Sequence, residues 1–257
     1  MKTSFIQSTK IQFRVISALL MREILTRFGK HNIGFLWMIV EPMMFTIGVT
    51  ALWLIISHKE GNLSVVAFVL TGYSSIVLWR NCANRCAMAI TPNQTLLFHR
   101  NVKVLDIFVA RIILEIVGAT GSFLLLLLGM CAFNIISWPQ DPFKMLIGWL
   151  LLTYYSAALG ILVGVISERS EMFERLWHVS TYLLFPISGA LYIVDWLPKK
   201  AQDAVLWLPS VHATELIRNG YYGNILHFHY DILYVLESCS IMLLIGLIYL
   251  RNTVKMS

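Results

Sequence analysis

The sequence predicts an all-α integral membrane fold. It comprises six transmembrane helices, an N-terminal amphipathic interface helix and short re-entrant helices before the last span. Three observations carry this. The 257 residues are 58% hydrophobic and only 13% charged, against roughly 25% charged in soluble domains. Apolar runs near the length that crosses a hydrocarbon core recur along the chain. Lys and Arg sort into alternate connecting segments. Together they predict one membrane domain over 1–257 with no soluble domain attached.

The first element is a helix over 10–30. Leu20, Met21, Ile24, Leu25 and Phe28 gather on one side, and Arg22, Thr26 and Lys30 on the other. Such a helix can lie in the headgroup plane. Residues 1–30 have no uninterrupted apolar core and no small-residue cleavage site, so no cleaved leader is expected. The spans follow at 34–57, 63–86, 107–133, 145–166, 176–194 and 232–250. With the N-terminus inside, fourteen of the 20 cations fall on inner segments, five on outer ones, and Arg111 inside the third span. Both termini are therefore expected in the cytoplasm, and the +6 charge reads as topology rather than as a nucleic-acid footprint.

Two inner connectors are polar and charged, "TPNQTLLFHRNVKVLD" and "SERSEMFERLW". The outer segment 195–231 is long for a bundle loop and apolar. Pro198 and Pro209 divide it, Ser210 is the expected cap of a helix over "VHATELIRNG", and Gly220 and Gly223 are expected to end it. This segment is expected to dip into the outer leaflet at the mouth of a cavity.

Ionisable groups at membrane depth are costly and usually pair or face water. Glu41 lies about 12 Å of helix rise into span one. Arg111 and Glu115 lie similarly deep in span three and share a helix face. A Glu41–Arg111–Glu115 cluster is expected between those spans, as a structural brace more than a substrate contact. Pro42 removes the hydrogen bond to the Met38 carbonyl and offers a hinge. Trp37, Trp79 and Trp177 are placed at the inner interface as an aromatic belt, and Trp53, Trp138, Tyr192 and Trp196 at the outer one. Tyr73, Tyr154, Tyr155 and Tyr182 fall deeper, where flat rings with a hydroxyl could stack on sugars. The four cysteines imply no disulfide framework. Neither Cys82/Cys86 nor His227/His229 has the company a metal needs. There is no phosphate-binding glycine loop and no nucleophile elbow.

Several stretches, in order along nearly the whole chain, resemble the permease subunit of capsular-polysaccharide ABC exporters of Gram-negative bacteria. "REILTRFGKHNIGFLWMIVEPMMF" carries W-x-x-x-E-P at Trp37, Glu41 and Pro42. "LTGYSSIVLWR", "ISERSEMFERLW" and "FPISGALYIVDWLP" follow. "LPSVHATELIRNGYYG" carries Pro209, Glu215, Arg218 and Tyr221. The resemblance implies an inner-membrane homodimer with two separate ATPase subunits, which bind the ATP and Mg; this chain itself holds no cofactor and hydrolyses nothing alone. It implies that a lipid-linked polysaccharide crosses through a canal at the dimer interface, lined by aromatics such as the four tyrosines. It further implies ATPase contacts along the interface helix and the first inner connector, at Arg22, Arg27, Phe98, His99 and Arg100. A periplasmic adaptor and an outer-membrane channel would carry the polymer on.

Exporters of O-antigen or teichoic-acid polymers share the architecture and stay open as alternatives. So does a permease for a drug, haem or lipid. An intramembrane enzyme on lipid-linked sugars fits less well, since Asp141, Asp195, Asp203 and Asp231 are scattered over outer loops.

Overall fold

A computed structural model describes residues 5–28, 33–56, 64–87, 89–97 and 102–254. The helices are α1 (Phe5–Phe28), α2 (Ile33–Ile56), α3 (Val65–Cys86), α4 (Gln94–Leu97), α5 (Val104–Ala132), α6 (Pro142–Ser167), α7 (Glu171–Ile187), α8 (Lys199–Val205), α9 (Pro209–Tyr222) and α10 (Ile232–Val254). No strand occurs among the described residues.

Among the described residues, five helices are long and apolar enough to cross a membrane: α2, α3, α5, α6 and α10. The segment expected as a span over 176–194 is instead a 17-residue helix, Glu171–Ile187, that starts earlier and stops earlier. Its start follows from Ser170, whose Oγ accepts the Phe173 N–H at 3.2 Å, and from two acids in the first turn. It stops just after Pro186, and Gly189 turns the chain at φ 86°. Beyond it the backbone carbonyls serve Arg218 rather than a helix.

The core is built on α3 and α6. The spanning window of α3 is 78% buried, against 22% for α2 and 17% for α10. Long apolar side chains on α2 and α10 therefore face outward, as the medium of a membrane protein permits. α6 packs against α3, α9 and α10, and α3 also supports α5 and α2. Asp141 caps α6 by accepting the Lys144 N–H at 3.0 Å, with Pro142 opening the helix.

The outer segment does form two short helices, but α9 is a core element. All fourteen of its residues are buried, wedged against α6 and α3. It begins at Pro209, so Ser210 lies inside the first turn instead of capping it, and Leu208 takes the cap position. The helix runs on through Gly220 and closes at Gly223, whose φ is 65°.

Two members of the expected aromatic belt are in the interior. Trp79 is 2% exposed, and Trp177 donates its indole N–H to Asn84 at 2.9 Å. A ring on a central helix is covered by protein before it can reach an interface.

Candidate functional site

The polar groups at one end of the bundle meet along α1. Val15, Leu19 and Leu20 pack on α5, while Met21 and Leu25 stay exposed. The apolar side of α1 is therefore divided, and its inward side carries charge. Gln12 bonds to Asp106, and Glu23 lies 3.3 Å from Arg111. Arg27 bonds to Glu115 and lies 3.4 Å from Glu41. Residues 12 to 27 of α1 thus run alongside 106 to 115 of α5 in the same sense, crossing obliquely.

This changes the expected trio. Glu41 and Glu115 do meet, but the shared cation is Arg27, not Arg111. Arg85 adds a second cation at 3.6 Å from Glu115. Arg111 points to Glu23 and donates to the Arg85 carbonyl at 2.6 Å. The cause is register. Glu23 and Arg27 are four apart on α1, Arg111 and Glu115 four apart on α5, and their charges alternate in opposite order. That complementarity was readable in the sequence; the pairing of α1 with α5 was not.

Arg27, expected on a docking face, is turned toward the spans and is 15% exposed. Arg22 reaches the inner connector and donates to Asn93 Oδ1 at 2.5 Å. Phe98, His99 and Arg100 lie outside the described residues. Glu168, between α6 and α7, caps the turn that opens that connector. Its Oε1 accepts the Ile90 N–H at 2.5 Å and the Thr91 N–H at 3.4 Å, and its Oε2 accepts the Thr91 hydroxyl at 3.0 Å.

α2 continues as a helix through Pro42, with the Thr46 hydroxyl donating to the Pro42 carbonyl at 2.9 Å. Of the four tyrosines, Tyr73 and Tyr155 are buried within the chain. Tyr154 shares a 2.9 Å hydrogen bond with Ser240 of α10. Tyr182, on α7, is 73% exposed and presents an open ring face.

The outer motif residues are brought together as a pin. Arg218 is fully buried and donates to the carbonyls of Gly189, at 2.6 Å, Ala190 and Tyr192. Its guanidinium lies 4.1 Å from the centre of the Phe68 ring. Burial pulls it down to about 10, against the opposing pull of Glu215. Glu215, also fully buried, accepts the backbone N–H of Val194 at 3.3 Å and of His229 at 3.1 Å. Burial raises its pKa, and Arg218 works the other way. Tyr221 donates to the Ser137 carbonyl at 2.9 Å, tying α9 to the α5–α6 loop. Pro209 opens α9. Sequence reasoning missed His212, whose Nε2 meets the Leu206 carbonyl at 2.8 Å and whose Nδ1 accepts the Asp231 N–H at 2.9 Å. A lone His inside an apolar run gave no signal of that bridge.

All four cysteines are buried free thiols. Among the described residues no group of three or more His, Cys, Asp or Glu could hold a metal. The arrangement joins helices and loops through buried charges.

Comparison with known proteins identifies the family. Residues 14–222 match the membrane domain of the ABC-2 type transporter family. The chain is 41% identical over 255 residues to the capsule polysaccharide export inner-membrane protein BexB of Haemophilus influenzae, covering 99% of this chain and 96% of that one. It is 42% identical over 247 residues to the capsule polysaccharide export inner-membrane protein CtrC of Neisseria meningitidis, covering 96% and 93%. It is 29% identical over 244 residues to the polysialic acid transport protein KpsM of Escherichia coli, covering 95% of each. With a family match across most of its length and relatives aligned nearly end to end, the chain belongs to the ABC-2 type transporter family, alongside the capsule polysaccharide export inner-membrane proteins.

Proposed function

We propose that this chain is the inner-membrane permease subunit of an ATP-driven exporter of lipid-linked capsular polysaccharide. The near full-length relationship to BexB and CtrC carries the reading. Two copies enclose a hydrated canal at their two-fold axis. Two ATPase subunits, which hold the ATP and Mg, dock on the inner face at α1 and the connector after α3. The single permease domain spans 1–257, crosses six times with α7 as the fifth crossing, and keeps both termini in the cytoplasm. α8 and α9 form the outer re-entrant segment, and a periplasmic adaptor and outer-membrane channel take the polymer onward.

The physical support is specific. α7 is short for a span, yet its 17 residues rise about 25 Å. Only Trp177 and Thr181 on it are buried, and half-buried Ser180 and exposed Tyr182 lie along it. A helix with exposed polar positions at membrane depth needs a partner or water beside it. A second copy supplies both. α3 and α6 are the most buried spans and pack closely on one another, which favours a path between protomers over one through a single copy.

The test is complementation. A Haemophilus influenzae strain lacking BexB, given this chain, should regain surface polysaccharide, and the chain should co-purify with the ATPase. Recovery of neither would remove the reading. Restored drug efflux without surface polymer would favour a small-molecule cargo.

A further inference from the structure

We infer that Glu168 is a positioning residue that latches the inner connector after α3 to α7, so that a push on the connector reaches the helix facing the canal. The inference rests on the exporter reading above and names a transmission route within it.

The geometry is a cap supplied from another loop. Ile90 and Thr91 open the short helical turn 91–93 that leads into α4. Helix starts leave backbone N–H groups without acceptors. Here the acceptor is the Glu168 carboxylate, 77 residues away, which takes three donors from Ile90 and Thr91. A carboxylate at a helix start is also favoured by the helix dipole. On its other side the same turn is held by Arg22 through Asn93, whose Nδ2 donates to the Ala89 carbonyl at 2.8 Å. The turn is therefore gripped by α1 on one flank and by the α6–α7 loop on the other.

The loop is a short, stiff arm. The Glu168 N–H donates to the Gly164 carbonyl at 3.2 Å, so the residue continues the last turn of α6. Ser170, two residues on, caps α7. Movement at Glu168 is delivered to the first turn of α7 with little slack. Between this arm and the turn pinned by Arg218, α7 is lightly held within its own chain. Its main neighbours are α6 and, more thinly, α3, and most of its length is exposed. The link is thus a three-donor cap on the connector, joined through a short arm to a lightly held helix.

The experiment uses the assembled permease–ATPase complex. Spin labels at exposed Gln94 and exposed Arg175 report the connector and α7. In wild type, ATP should shift both labels relative to the partner copy. In Glu168→Ala the Gln94 label should still move and the Arg175 label should not. Assembly and nucleotide hydrolysis should stay within about twofold, while polymer export falls at least tenfold. Glu168→Gln keeps one acceptor and should be intermediate, which guards against a variant that merely fails to fold. Normal export by Glu168→Ala, or an Arg175 label that moves as in wild type, overturns the latch. Loss of hydrolysis and export together, in equal proportion in both variants, also overturns it, since that would mark a role in assembly. If the wild-type complex exports without nucleotide, the exporter reading falls and the latch with it.

Discussion

The carbonyl oxygen of Met38 on α2 lies against Gly118 on α5: a Cβ built on Gly118 would stand 2.8 Å from it. Pro42, four residues on, has no N–H to give that carbonyl. The acceptor freed by the proline is thus covered by the backbone of a neighbouring helix, and glycine is the residue that lets the two helices come so close. Gly118→Ala should force α2 and α5 apart and cost about 1–3 kcal/mol, the usual range for overpacking. Thermal unfolding in detergent would report it as a lowered midpoint. Pro42→Ala restores the helix bond, so it should raise that midpoint; if the proline is a working hinge, polymer export should fall at the same time.

Arg27 serves two acids, so its loss should exceed the loss of either acid. Arg27→Met leaves Glu115, 6% exposed, with Arg85 alone. Breaking a buried pair costs roughly 3–5 kcal/mol. Glu41→Gln should cost far less, since Glu41 is a third exposed and 3.4 Å away. Folded yield after membrane extraction separates them: Arg27→Met well below Glu41→Gln is expected, and equal yields would dissolve the shared-cation arrangement.

The Arg218 pin should be sensitive to its fork. Lysine brings a charge but no planar array of donors, so Arg218→Lys should free carbonyls among Gly189, Ala190 and Tyr192. Gly72→Ala should disturb the same node from the other side, because its Cβ would lie 2.5 Å from Arg218 Nη2. Both variants should expose the 188–196 turn to proteolysis, while Tyr234→Phe at the far edge should not.

His212 makes stability depend on pH. Burial lowers its pKa from 6.5, so the unfolded chain takes a proton more readily than the folded one. Its stability contribution is complete above 6.5 and declines as pH falls through the lowered value. Protonation also removes the Nδ1 acceptor for the Asp231 N–H. The thermal midpoint should drop below pH 6.5, and His212→Gln, which can still accept and donate, should flatten that drop.

Tyr182 and Tyr155 should part in function. Tyr182→Ala removes an exposed ring and should leave folding intact while reducing polymer export, if α7 lines the canal. Tyr155→Phe lies inside the protomer and should leave export unchanged in cells that retain normal protein levels. A Tyr182→Ala variant exporting at the wild-type rate would take α7 off the path.

Composition and hydropathy settled the class of this protein. A chain so poor in charge, with apolar runs near 20 residues, has to satisfy its backbone internally and becomes a helical membrane bundle. The short motifs pointed to the family as well; Glu41, Arg111 and Glu115 already stood out as charges needing partners, and Arg218 only as a member of a motif. Which partner each takes came only from tertiary structure, because pairing depends on the register of helices far apart in the chain. Arg27 displaced Arg111 for that reason. The burial of α9 likewise came from its wedging against α6 and α3, while its apolar composition alone suited an outer leaflet equally well. α7 stopped short of its expected end because Arg218 takes the carbonyls beyond it. In a bundle, periodicity tells which residues are helical, and only the packing of one helix on another decides which face is inside.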